Sequence, residues 1–155
     1  MITAVDTNIL LDVLNPTEPH SDASKEALAR ASRAGTLVAT EIVYAELCPN
    51  FSRQADLDDF LRETSIGVES LKRQALHSAG LAWAAYTRRR EAPQICHACG
   101  SRLPSNCAEC GATLKAKQHV LADFIIGAHA STQADRLITR DKGYYRTYFP
   151  DLHLV

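Results

Sequence analysis

The chain has 155 residues, of which 46% are hydrophobic and 23% are charged. This composition is typical of one folded domain with its own core and excludes a disordered chain. The 17 basic and 18 acidic residues leave a net charge of −1, which excludes a bulk attraction to nucleic acid or anionic lipid. No segment has the ~20 apolar residues of a membrane span, and the start MITAVD does not resemble a signal peptide. We therefore expect a cytoplasmic protein that does not enter the membrane.

Strands and helices are predicted to alternate along the chain. The predicted strands are residues 2–5, 36–39, 65–68 and 136–139. The predicted helices are residues 8–14, 21–34, 41–47, 54–62, 70–90 and 120–132, followed by an aromatic turn at 144–149. Gly35 is expected to end the second helix, and Thr40 to cap the third. The alternation predicts an α/β fold with a parallel sheet covered on both faces.

Four acidic residues lie at the ends of these apolar elements. Asp6 follows the first strand and Asp141 follows the last one. Glu46 lies in the helix after the second strand, and Asp123 in the first turn of the helix at 120–132. Open α/β sheets bind ligands at the carboxyl ends of their strands, and unpaired acids in apolar settings are costly. The four acids could therefore converge on a divalent cation such as Mg²⁺, whose waters can hydrolyse a phosphodiester.

A purely structural interpretation of these acids is also open. Asp6 could cap the helix that follows it, and Asp123 could favour the dipole of its own helix. The remaining acids of the helical segments are expected on solvated faces or as caps. These are Asp12, Asp22, Asp56, Asp58 and Asp59.

Residues 92–119 have a different composition, with four cysteines and hardly any large aliphatic residues. The run CHACGSRLPSNCAECG contains two Cys-x-x-Cys-Gly knuckles, formed by Cys96, Cys99, Cys107 and Cys110. Four thiolates at this spacing predict a closed structural Zn²⁺ site, although iron in the same cage is open. The insert could grip RNA or a partner, or it could only staple a long connection. Cys48 stands apart and is expected to be a plain buried thiol.

The segments AVDTNILLDVL, TEIVYAEL, LADFIIGAHA and LITRDKGYYRTYFP, in this order, resemble the PIN-domain family, in particular the VapC-type toxin ribonucleases. The resemblance implies a single domain over residues 1–155, with three α/β/α layers and a five-stranded parallel sheet. It also implies endonucleolytic hydrolysis of RNA with Mg²⁺ or Mn²⁺. The implied metal ligands and catalytic residues are Asp6, Glu46, Asp123 and Asp141, and the implied supporting residues are Asn8, Thr40 and Thr139. If the protein is a toxin, an antitoxin partner and a homodimer follow from the resemblance.

Basic residues beside these segments are candidates for binding RNA phosphates. They are Arg88, Arg89 and Arg90 before the insert, and Arg140 and Lys142 beside Asp141. Solvated loop charges, or charges that complement a helix dipole, are the alternative for each of them.

Three other functions compete with the toxin hypothesis. A standalone RNA-processing or ribosome-maturation PIN nuclease would use the same acids. A phosphatase of the haloacid dehalogenase kind needs a second aspartate two residues after the first, and this position is Asn8. A non-catalytic zinc-ribbon module that binds nucleic acid would have no use for four acids.

Overall fold

The computed structural model describes residues 1–17, 19–88, 106, 108–111 and 121–155. Its strands are β1 (Ile2–Val5), β2 (Thr36–Thr40), β3 (Ile66–Glu69) and β4 (Arg136–Ile138). Its helices are α1 (Thr7–Leu14), α2 (Ser21–Ala34), α3 (Glu41–Leu47), α4 (Gln54–Glu63), α5 (Arg73–Arg88), α6 (Leu121–Gln133) and α7 (Lys142–Tyr148). A single 3₁₀ turn, Cys48–Asn50, follows α3. The predicted α/β alternation is confirmed over these elements.

The four strands form one parallel sheet in the order β3-β2-β1-β4. The chain moves from β1 outward to β2 and β3, and then returns to place β4 on the other side of β1. The direction of winding therefore reverses between β1 and β4. In open parallel sheets such a switch point leaves a crevice at the carboxyl ends of the two strands. The topology thus predicts a ligand site at the residues that follow β1 and β4.

The sheet in the described residues has four strands and not the five that the resemblance implied. The segment after α7 does reach the outer edge of β4, where Leu137 and Leu154 form an isolated parallel bridge. Leu137 N donates to His153 O and Val155 N donates to Leu137 O, both at 2.9 Å. These two bonds flank one residue, so the pairing is too short to count as a strand.

Aromatic side chains fill the space between α5, α6 and α7. The cluster consists of Trp83, Tyr86, Phe124, Tyr144 and Tyr148, with ring centroids 5.1 to 5.8 Å apart. Gly127 allows α6 to approach α7 closely, because a Cβ at this position would lie 2.4 Å from a ring carbon of Phe149. The cluster therefore fixes α6, which carries Asp123, against α7, which begins after Asp141.

The ends of some elements differ from the sequence prediction. Helix α5 begins at Arg73 and not at residue 70, because residues 70–72 bond to other elements: Lys72 N donates to Gln133 Oε1 at 2.8 Å, for example. The predicted aromatic turn near the end is a helix, α7. Among the described residues, no helix is both long and apolar enough to cross a membrane.

Candidate active site at the carboxyl ends of β1 and β4

Asp6 is the first residue after β1, and only 5% of it is exposed. Its Oδ2 accepts a hydrogen bond from Asn8 Nδ2 at 2.7 Å and one from Thr139 Oγ1 at 2.6 Å. Asp6 precedes α1, yet its side chain makes no capping hydrogen bond to that helix. The helix-cap interpretation of Asp6 is therefore wrong, and the carboxylate is oriented by side chains from α1 and from the end of β4.

A chain of hydrogen bonds joins the start of α1 to the link between β4 and α7. Thr139 Oγ1 accepts from Asp141 N at 3.0 Å and from Asn8 Nδ2 at 3.3 Å. Asn8 Oδ1 accepts from Arg140 N at 3.3 Å. The structure thus brings Asn8 and Thr139 together at Asp6, because β1 and β4 are neighbours at the switch point.

Glu46 reaches the same region through a residue that is not among the predicted site residues. Thr7, which follows Asp6 directly, donates from Oγ1 to Glu46 Oε2. Thr40 Oγ1 accepts from Val43 N at 3.2 Å and so caps α3, the helix that carries Glu46. The predicted cap is confirmed. The position of Thr7 inside the polar run Asp6-Thr7-Asn8 was the available signal for its role.

Asp123 and Asp141 lie at the beginnings of α6 and α7. Asp123 is half-buried in the first turn of α6, and Asp141 is the N-cap of α7, with Oδ1 accepting from Tyr144 N at 3.4 Å. Burial is the main cause that raises the pKa of Tyr144, and the charges of Asp123 and Asp141 raise it further. Burial also raises the pKa of Asp6, and the charge of Asp123 adds to that rise. These three carboxylates therefore act within one electrostatic environment.

Burial gives Asp6 an unusual protonation equilibrium. The pKa of its carboxyl rises from 3.8 to about 6, mainly because the group is removed from water. The hydrogen bond from Thr139 opposes this rise, and the negative charge of Asp123 adds to it. The Tyr145 hydroxyl also bonds to Asp6, and burial together with the charges of Asp6 and Asp123 raises the pKa of that phenol. A buried carboxylate whose pKa is raised by burial and by the charge of a second carboxylate is a candidate for a functional site.

The acids do not form a compact set of metal ligands. Within the part of the chain that the structure describes, no three His, Cys, Asp or Glu side chains are close enough together to hold a metal ion. Their chemistry nevertheless suits a hard cation, since every donor is a carboxylate oxygen. Mg²⁺ commonly binds through one or two carboxylates and keeps several waters, so it does not require three direct protein ligands.

Asp12 was expected on a solvated helix face or as a cap, and this prediction is wrong. Only 2% of Asp12 is exposed, and its Oδ2 accepts from Ser24 Oγ at 2.7 Å. The same oxygen forms an ion pair with Arg140 Nε at 3.0 Å. Asp12 lies one helical turn after Asn8, so both side chains project toward the link that follows β4.

The other candidate basic residues are only partly described. Arg88 is the last residue of α5 and Lys142 is the first residue of α7, and both are exposed. Arg89 and Arg90 lie outside the described residues.

The cysteine insert also lies largely outside the described residues, which contain Cys110 but not Cys96, Cys99 or Cys107. Cys110 is an exposed free thiol there. Cys48 is exposed as well, so the expectation of a buried thiol is wrong. Its position in the 3₁₀ turn after α3 directs it away from the core, and its Sγ bonds to Tyr44 O at 3.3 Å.

The PIN domain family matches residues 3–150, which is nearly the whole chain. The chain therefore belongs to the PIN domain family. No curated protein matches the sequence at a significant level.

Solved structures with the same fold include toxin–antitoxin proteins. VapBC2 from Rickettsia felis, bound to a DNA fragment from its promoter, is 17% identical with a TM-score of 0.63; the match covers 100% of this chain and 98% of that one. VapBC-1 from nontypeable Haemophilus influenzae is 22% identical with a TM-score of 0.58, covering 100% and 97%. VapC20 from Mycobacterium tuberculosis, a toxin that cleaves the sarcin-ricin loop, is 13% identical with a TM-score of 0.55, covering 94% of each chain. At these identities the likeness establishes the fold.

Proposed function

We propose that the protein is a divalent-metal-dependent endoribonuclease and that Asp6, Glu46, Asp123 and Asp141 form its active site. The observation that carries this proposal is the buried carboxylate of Asp6 at the switch point of a PIN fold, held by Asn8 and Thr139. A buried acid that serves only the fold would be expected to have an opposite charge beside it. Asp6 instead has the negative charge of Asp123 nearby.

The site formed by these four acids would bind Mg²⁺ or Mn²⁺, which does not require all four as direct ligands. Such an ion, when bound, supplies positive charge for the phosphate oxygens and an activated water for hydrolysis. The protein's own contribution is orientation. Asn8 and Thr139 hold one oxygen of Asp6, and Thr7 holds Oε2 of Glu46. Because these donors are already in place, little reorganisation of the carboxylates is needed when the substrate binds.

We further propose that the protein is the toxin of a toxin–antitoxin pair. Support comes from its likeness to VapBC2 and VapBC-1, and to VapC20, described as a toxin that cleaves the sarcin-ricin loop. An antitoxin partner and a homodimer belong to this proposal. Induced expression of the wild-type chain should arrest bacterial growth, and expression of Asp123→Asn at equal levels should not. Light scattering of the purified chain tests the dimer.

The cleavage assay compares wild type with Asp123→Asn on a panel of structured RNAs with Mg²⁺ or Mn²⁺. We expect loss of cleavage in Asp123→Asn and full cleavage by Asp151→Asn, a control that removes an exposed carboxylate after α7. Retained secondary structure by circular dichroism would assign the loss to chemistry. Equal cleavage by wild type and Asp123→Asn would contradict the proposed site. A variant control is preferable to a chelator, which would also remove zinc.

We propose in addition that Cys96, Cys99, Cys107 and Cys110 bind one structural Zn²⁺. The support is the sequence pattern of two Cys-x-x-Cys-Gly knuckles, with seven residues between Cys99 and Cys107. Elemental analysis should find about one zinc per chain in wild type and in Cys48→Ser, and much less in Cys110→Ser. If iron is found in place of zinc, the metal of this site is iron. An equal metal content in all three proteins would contradict metal binding by the four cysteines.

A further inference from the structure

We infer that Arg140 binds an RNA phosphate next to the one that is cleaved, and that the buried Asp12 is the positioning residue that aims it. This inference rests on the proposed nuclease function. It extends that function by assigning a phosphate contact, and a role for Asp12, from the packing of α1 against the link between β4 and α7.

Arg140 belongs to the active-site network through its backbone. It lies between Thr139, which bonds to Asp6, and Asp141, and its own N–H donates to Asn8 Oδ1 at 3.3 Å. The backbone of Arg140 therefore cannot shift without disturbing the groups that hold Asp6.

The guanidinium group of Arg140 is held by Asp12 through Nε, while much of the side chain is exposed to solvent. Its Nε lies 3.0 Å from Asp12 Oδ2, and 44% of the side chain is exposed. A guanidinium has five N–H donors in a planar fork, so donors remain after this contact. An arginine whose guanidinium group is already held by a carboxylate loses less side-chain entropy when it binds a phosphate than an unconstrained arginine does.

The carboxylate of Asp12 is itself held firmly enough to position Arg140. Its side chain is almost completely buried, and Ser24 Oγ on α2 donates to the same oxygen at 2.7 Å. Asn8, which contacts Asp6, and Asp12, which contacts Arg140, are four residues apart on α1, so their backbones are ~6 Å apart along the helix axis. A polyanion that enters a site with four acids needs a cation close by, and Arg140 contacts both Asn8 and Asp12 on α1.

A structural alternative is that the pair only ties α1 and α2 to the link after β4. The two roles differ in the salt dependence of RNA binding. Each phosphate neutralised on single-stranded nucleic acid contributes ~0.7 to the slope of log K against log salt concentration. A merely structural pair contributes nothing to that slope.

The experiment measures the fluorescence anisotropy of a labelled mixed-sequence single-stranded RNA of about 20 nucleotides as a function of salt. All proteins carry Glu46→Gln, so that the RNA is not cut. Arg140→Gln should lower the slope by ~0.7 and weaken binding about tenfold, the size of one charged hydrogen bond. Arg30→Gln is the matched control, because Arg30 is exposed on α2 and pairs with Glu26.

Two further variants distinguish the charge of Arg140 from its positioning by Asp12. The double variant Asp12→Asn/Arg140→Gln leaves no unpaired buried charge and should fold, with the same loss of slope as Arg140→Gln alone. Asp12→Asn alone keeps the arginine and should weaken RNA binding while changing the slope less than Arg140→Gln.

Slopes that stay equal in the parent, Arg140→Gln and the double variant would overturn the phosphate contact and leave the nuclease proposal standing. Weaker binding by Arg140→Gln with normal binding by Asp12→Asn would overturn the positioning role of Asp12. A parent protein that does not bind RNA at any salt concentration would overturn this inference together with the proposed function, whereas the cleavage assay with Asp123→Asn tests the proposed function alone.

Discussion

Replacing Asp6 with asparagine should destroy activity and increase the stability of the metal-free protein. The pKa of Asp6 is 3.8 in water and about 6 in the fold, because the carboxylate is buried beside the charge of Asp123. The folded state therefore holds this proton more tightly than the unfolded state. The contribution of Asp6 to stability is fully present below pH 4 and is lost as the pH rises through about 6.

The magnitude follows from the size of the shift. One pKa unit corresponds to about 1.36 kcal/mol, so the penalty for carrying the charged form reaches about 3 kcal/mol above pH 7. At pH 5 about half of this penalty is present. Asparagine resembles the protonated acid in shape and charge. The stability advantage of Asp6→Asn over wild type should therefore grow between pH 5 and pH 8 by about 1.5 kcal/mol.

Urea unfolding of both proteins, without added divalent cation, measures this difference at each pH. All other titrating groups are common to the two proteins, so their contributions largely cancel. Asp151→Asn, which removes a negative charge from the exposed surface, serves as the control and should not reproduce the gain in stability of Asp6→Asn. An advantage of Asp6→Asn that is independent of pH, or a variant that is less stable at pH 8, would refute the argument from burial.

Addition of Mg²⁺ provides a second arm of the same experiment. A cation that binds only the folded state stabilises it in proportion to the logarithm of its concentration. Mg²⁺ should therefore stabilise wild type more than Asp6→Asn. Equal stabilisation of both proteins would mean that Asp6 does not contribute to the metal site.

Thr139→Val should raise the pKa of Asp6 further, because the hydrogen bond from Thr139 lowers it, and should cost about 1 to 3 kcal/mol of stability. The acid limb of the pH–rate profile should therefore move to higher pH. An acid limb at the same pH as in wild type would contradict the role of this hydrogen bond. Gly127→Ala should destabilise the protein by about 1 to 3 kcal/mol, because its Cβ would meet the ring of Phe149. Gly80 is exposed on α5, and a Cβ added there would have no atom within 4 Å, so Gly80→Ala should stabilise the protein by up to about 1 kcal/mol. Thermal unfolding measures both, and equal effects would contradict the close packing of α6 on α7. Thr7→Val should reduce cleavage by releasing Glu46 while leaving zinc content unchanged, and full activity would show that Glu46 needs no such partner.

The local pattern of the sequence determined most of the elements. Apolar runs fixed the four strands to within a residue or two, and helix α2 begins at Ser21 and ends at Ala34 as predicted. Thr40 was identified as a cap because capping depends on neighbours three residues apart, which the sequence displays directly. Ends set by distant contacts were missed, as at α5, where Glu41 and Gln133 hold the preceding residues.

The tertiary structure alone decided how the polar residues meet. Asp6 and Thr139 are 133 positions apart and touch because β1 and β4 are neighbours, a strand order that hydrophobic periodicity does not encode. Asp12 looked like a surface residue, since an acidic residue in a short helix is usually solvated. Its burial depends on Ser24 and Arg140, which come from elsewhere in the chain. The sequence by itself thus supplied the residue types of the site, and the order of the strands decided which of them share one carboxylate.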